Sequence, residues 1–167
     1  MSIDASSVLR LADFDQTSVA RLLTQFHLEL QVCPSHEPIP HSYWGDDEAG
    51  LHGNCLYARA DTPLHSILHE TAHFICADPV RRENLTRDAG SDDAEESAAC
   101  YLQILLAREL PGLKRERMFS DMDRWGYSFR LGSTRAWFEA DASDALTWLK
   151  DHDLVSGETV NFKLRQS

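Results

Sequence analysis

The chain has 167 residues and a formal net charge of -11. That acidity argues against nucleic acid, whose phosphates select lysine and arginine, and equally against an anionic membrane surface. Hydrophobic residues make up 43% of the sequence and four tryptophans are present, enough for the buried core of one folded domain, while no apolar run is long enough to span a bilayer.

The opening stretch MSIDASSVLRLADF lacks the basic-then-apolar layout of a signal peptide, so a cytoplasmic protein is expected. Cys33, Cys55, Cys76 and Cys100 contain no CxxC pair. They read as free thiols packed like small hydrophobes in a reducing compartment.

In chain order, Asp15-Gln16-Thr17 predicts a capped helix through Leu30, with Val19, Leu22, Leu23, Phe26 and Leu30 on one face. His27 on it reads as structural. Cys33 to His41 holds three prolines and reads as a loop whose His36 and His41 are solvated. Ser42-Tyr43-Trp44, Glu48 to His52 and Cys55 to Arg59 predict three strands of a small antiparallel sheet, with turns at Gly45-Asp46-Asp47 and Gly53-Asn54. The strand nearest a cleft could pair with an extended peptide.

The sheet leads into TPLHSILHETAHFICA, Thr62 to Ala77. Thr62 or Asp61 is expected to cap a helix with Pro63 in its first position. Leu64, Ile67, Leu68, Thr71, Phe74 and Ile75 recur at helical spacing, and Asp78-Pro79 ends the run. His69-Glu70-Thr71-Ala72-His73 is an HExxH pattern. On a helix its histidines stand about 6 Å apart along the axis and close on one zinc ion at about 2 Å each. Glu70 lies about a third of a turn away, where it meets water beside the metal without ligating. His65 also stands four residues from His69, but it is about 12 Å from His73 along the axis, so all three cannot share an ion. Ser66 follows His65 where a glutamate would be needed, so His65 reads as packed or hydrogen-bonded.

Asp78 to Gly90 predicts a short helix around Val80 to Leu85 and then a loop. Ser91-Asp92-Asp93 caps a long helix through Glu109. Its apolar stripe of Ala98, Ala99, Leu102, Leu105 and Leu106 extrapolates back onto Glu95, whereas Glu96 lines up with Cys100, Gln103 and Ala107. A carboxylate at the head of a buried stripe needs a cation or several hydrogen bonds, and zinc would be such a cation. Two alternatives stand beside ligation by Glu95: a capping box between Asp92 and Glu95, and ligation by Glu96. Beyond Pro111-Gly112, Lys114 to Arg124 predicts a helix closed by Gly126. Helices starting at Ser133 and Ser143 follow, and Val160, Phe162 and Leu164 alternate like a last strand.

HExxH followed about twenty residues later by a helix bearing Glu95-Glu96-Ser97-Ala98 resembles the glutamate-ligand branch of the zincin metallopeptidases. Its continuation through Tyr101 and Leu105-Leu106 resembles the corresponding helix of small bacterial ImmA/IrrE-type metallopeptidases. The likeness covers about Tyr43 to Leu106. Ala99 departs from it, standing where many of these enzymes place Asn or Asp.

Length predicts one domain over 1–167, and the elements predict an α+β fold, a small antiparallel sheet on a central HExxH helix and a second acidic helix, then further helices. The resemblance implies that this domain is zincin-like and the second helix a metal-ligand helix. It implies zinc held by His69, His73 and Glu95 with water in the fourth position, and Glu70 as general base in a narrow-specificity cleavage of a peptide or protein. Tyr127 and Arg130 are candidates to stabilise the oxyanion. The rival expectations are a non-enzymatic zinc-binding regulatory protein on the same scaffold and a hydrolase of non-peptide amides.

Overall fold

The computed structural model describes residues 8–42, 47–85 and 92–167. The fold is α+β. A 3-10 turn (Leu11–Asp13) precedes α1 (Gln16–Thr24), β1 (Glu29–Val32), β2 (Gly50–His52), β3 (Cys55–Ala58) and the HExxH helix α2 (Leu64–Cys76). Then come α3 (Pro79–Glu83), α4 (Asp93–Ala107), α5 (Arg115–Trp125), α6 (Thr134–Ala140), α7 (Ser143–Asp151), and the short pair β4 (Val155–Ser156) and β5 (Thr159–Val160).

The first helix is shorter than its pattern predicts. Leu28 N–H reaches Leu23 O and His27 N–H reaches Thr24 O, while His27 takes a left-handed φ of 63°. This is a Schellman-type ending, here with histidine in the position glycine usually fills. The chain is thereby turned into β1 at Glu29, and Leu30 belongs to a strand rather than to the helix.

The sheet differs from the expected all-antiparallel hairpins. Its order is β1-β3-β2, with β1 parallel and β2 antiparallel to β3. Local turn signals reveal the β2–β3 hairpin, but they carry no trace of a parallel partner that precedes it by a long loop. Ser42 makes one isolated bridge to Gly50, and the rest of the strand expected at Ser42-Tyr43-Trp44 lies outside the described residues. A Cβ at Gly50 would stand 1.9 Å from Pro40 O, so only glycine lets the two backbones approach there.

Helix α2 is capped by neighbouring backbone. Pro63 occupies the N-cap position, one residue earlier than expected, and Thr62 Oγ1 accepts from Arg59 N at 2.8 Å rather than capping. Leu64 N–H instead donates to Leu9 O at 3.0 Å, so the N-terminal segment satisfies a donor that the helix start leaves over. Buried residues occupy almost the whole circumference of α2, and it packs on α4, the sheet and α5. It is the central element of one continuous apolar cluster.

The other end of α2 is fastened by arginine. Arg82 donates from Nε to Phe74 O at 2.9 Å and from Nη2 to Ala77 O at 2.6 Å, collecting carbonyls the helix end cannot use. The same Nη2 reaches Arg165 O at 2.8 Å, while Arg165 N–H donates to Ile75 O at 3.0 Å. The final residues thus run against the C-terminal end of α2, and of the expected last strand only Val160 pairs, in the short ladder of Thr159–Val160 with Val155–Ser156. Asp92 caps α4 by accepting from Glu95 N at 2.8 Å, as the sequence leads one to expect.

Candidate metal centre

Helices α2 and α4 meet along a seam that carries the buried polar residues His65, His73 and Gln103. Glu96, Cys100 and Gln103 lie at helical spacing along α4 and face His69 and His73 on α2. His69 Nε2 stands 3.1 Å from His73 Nε2 and 3.1 Å from Glu96 Oε1, and His73 Nε2 stands 2.8 Å from Glu96 Oε2. Two imidazole nitrogens and a carboxylate therefore converge on one point.

The tautomer of His69 follows from its neighbours. The Gln103 side chain is fully buried, and its Nε2 donates to His65 O at 3.0 Å. That fixes Gln103 Oε1 as the acceptor facing His69 Nδ1 at 2.9 Å. Nδ1 must then carry the proton, which leaves the lone pair on Nε2 aimed at His73 and Glu96. Two imidazole lone pairs 3.1 Å apart repel unless a proton or a cation lies between them.

Electrostatics reinforce this. Burial opposes a charge on His69, but Tyr127, Cys100 and Glu96 around it outweigh burial and hold its pKa well above the ordinary histidine value. Burial likewise opposes the charge on Glu96, yet its hydrogen bonds to His69 and His73 prevail and hold its carboxyl well below the usual range. The point between these side chains favours positive charge.

The donor set fits zinc. Ligands about 2.0–2.1 Å from a tetrahedral ion stand about 3.3 Å from one another; here the two nitrogens stand 3.1 Å apart, and each meets its own Glu96 oxygen, at 3.1 and 2.8 Å. His73 Nδ1 is buried with no hydrogen-bond partner among the described residues, so no local acceptor directs its proton and its Nε2 faces the carboxylate. Half of the Glu96 side-chain surface remains exposed, so the cluster is reached from outside.

The access route is a cavity of about 410 Å³ lined by Glu48, Ser66, His69, Glu70, Glu96 and Trp125 to Tyr127. Among the described residues no hydrogen bond or ion pair ties up the Glu70 carboxylate, and burial pushes its pKa up against the opposing pull of His73 and His69. Across the cavity, Glu48 accepts from the Trp125 indole through Oε1, and its buried Oε2 has no partner among the described residues. Burial raises its pKa also. Ser66 Oγ accepts from Ala49 N at 2.9 Å, which fixes the chain leading into β2 as the cavity's rim.

Of the sequence-predicted residues, His69, Glu70 and His73 come together, and Glu95 does not join them. Glu95 is 2% exposed and its carboxylate faces the other way, with Arg81 Nη2 at 2.6 Å and Arg165 Nη1 at 3.1 Å. Burial of Glu95 is as expected, but the compensating cations are arginines, and its neighbour Glu96 takes the place beside the histidines. Glu95 does not fold back to close a capping box either, since its side chain is engaged with those arginines. His65 is packed and hydrogen-bonded: its Nδ1 lies 3.2 Å from Tyr127 Oη, and burial pushes its pKa down to about 3. Tyr127 lines the cavity and sets its ring against His69, with centroids 5.8 Å apart. Arg130 pairs with Asp141 and is not among the cavity-lining residues.

Sequence reasoning passed over Gln103 and read Cys100 only as packing. The available signal was their spacing with Glu96: a strip of polar and sulfur-bearing residues on a helix that is buried nearly all round. No family model matches the chain, and neither does any curated protein or solved structure.

Proposed function

We propose that the chain is a zinc-dependent hydrolase, a narrow-specificity metallopeptidase of zincin type acting on a peptide or protein substrate. The observation that carries this reading is the Glu96 carboxylate spanning the Nε2 atoms of His69 and His73 while an unengaged Glu70 opens onto the same cavity. His69, His73 and Glu96 would hold the metal, and Gln103 would orient His69 from behind. Bound zinc supplies Lewis-acid polarisation of a carbonyl and acidifies water.

The chain's own residues supply the rest. Glu70 accepts a proton from water in the cavity and returns it to the leaving amine. The packed rings of Trp125 and Tyr127 wall the cavity and limit what enters, in keeping with narrow specificity. Among the described residues no helix is long and apolar enough to cross a membrane. Cytoplasmic residence is part of the proposal, supported by four free thiols of the kind a reducing compartment maintains.

The test rests on Glu70→Gln, which keeps the size of the side chain but cannot accept the proton. This variant should bind zinc like the parent and retain substrates that the parent cleaves, with hydrolysis reduced by about 10²–10⁴-fold. Partners captured from extract on the variant are then offered to the parent. Partners bound equally by both forms and cut by neither would overturn the peptidase reading.

A further inference from the structure

The seam holds a sulfur that the proposed chemistry does not use. Cys100 stands one helical turn after Glu96 on α4, is 6% exposed, and places Sγ 4.0 Å from Glu96 Oε1. Its sulfur, a His69 ring nitrogen and a Glu96 oxygen all lie within 4.8 Å of one another. The other buried thiol, Cys76, lies two turns further along α2 from His69, where Glu95, Arg165 and Arg82 are its foremost charged neighbours.

We propose, resting on the metal reading above, that Cys100 is a further protein donor to the ion held by His69, His73 and Glu96, and that its sulfur competes for the coordination position hydrolysis requires. Around a tetrahedral zinc, a sulfur at about 2.3 Å and an oxygen or nitrogen at about 2.0–2.1 Å stand about 3.5 Å apart. Reaching this from the 4.0 Å between Cys100 Sγ and Glu96 Oε1 takes a movement of about half an ångström, within a small adjustment of the cysteine torsion or of the half-exposed Glu96 side chain. As the bond forms, the S–H bond breaks, the proton passes to solvent, and the sulfur electron pair becomes the bond to the metal. Three hard or borderline donors and one soft one select zinc over magnesium or calcium, which take oxygen ligands. A substrate group that takes the sulfur's coordination position, with the thiolate regaining a proton, would convert a closed site into an open one.

Cobalt(II) titrated into the full-length protein reads this directly. The parent is expected to show visible ligand-field bands of tetrahedral cobalt together with a near-ultraviolet sulfur-to-cobalt charge-transfer band. In Cys100→Ser, or in Cys100→Ala should the serine variant fail to fold, the near-ultraviolet band is lost while the visible bands persist. Zinc should also slow alkylation of Cys100 by iodoacetamide in the parent, read by mass spectrometry of the labelled peptide. Visible bands without a sulfur band in the parent would overturn the role of Cys100 and leave the metal site standing. The same holds for a sulfur band that survives in the Cys100 variants, or for alkylation indifferent to zinc. Failure of cobalt and zinc to bind at all would overturn both readings.

Discussion

The side-chain oxygen of Gln103 lies 2.9 Å from His69 Nδ1. Because the amide nitrogen of Gln103 is committed to His65 O, this contact works only one way, with histidine as the donor. A ligand histidine whose outer nitrogen is so held presents the correct lone pair to a metal and is restrained in its ring angle.

Gln103→Leu preserves volume and apolar packing on α4 but removes the acceptor. Zinc affinity is expected to fall by about 10–100-fold, measured by competition with a chromophoric chelator, with the far-ultraviolet circular dichroism unchanged. Unaltered affinity would show that the amide serves packing alone.

Glu95 predicts a different outcome from its neighbour. Its carboxylate joins Arg81 on α3 and Arg165 near the C-terminus, so Glu95→Ala leaves two arginines facing an apolar wall. Both arginines keep some solvent contact, which places the cost toward the lower end of the range for broken buried pairs, about 3 kcal/mol. Urea denaturation would check this, and loss of zinc without loss of stability would contradict it.

Much of this architecture is legible in the sequence, and the exceptions share a cause. The HExxH helix, the Asp92 cap of α4 and the glycine ending of α5 follow from periodicity and local capping chemistry, and Gly126 has the left-handed φ of 106° that such an ending needs. Extrapolating the apolar stripe of α4 finds Glu95 buried, as it is, but burial does not reveal which cation meets it. One of the two arginines lies 70 residues away, and no local pattern announces that contact. The same limit hides β1 as the parallel partner of β3. Glu96 stands in the sequence as the alternative ligand, on a mixed strip with Cys100 and Gln103, and that strip is the face α4 turns to α2.

Binding of zinc to the folded chain alone predicts stabilisation by mass action. Saturating zinc at about a thousand times its dissociation constant adds about 4 kcal/mol, seen as a rise in melting temperature that a chelator reverses. The rise should be absent in His69→Ala and His73→Ala, each measured against its own metal-free melting temperature.

The central claim is that His69, His73 and Glu96 hold one ion. Elemental analysis of protein purified without a histidine tag, after equilibration with zinc and removal of excess, tests it most directly. Parent, Glu70→Gln and Glu95→Gln should carry equimolar zinc, while His69→Ala, His73→Ala and Glu96→Gln should carry little. Retention of zinc by Glu96→Gln together with its loss from Glu95→Gln, or a parent that takes up none, would contradict the account.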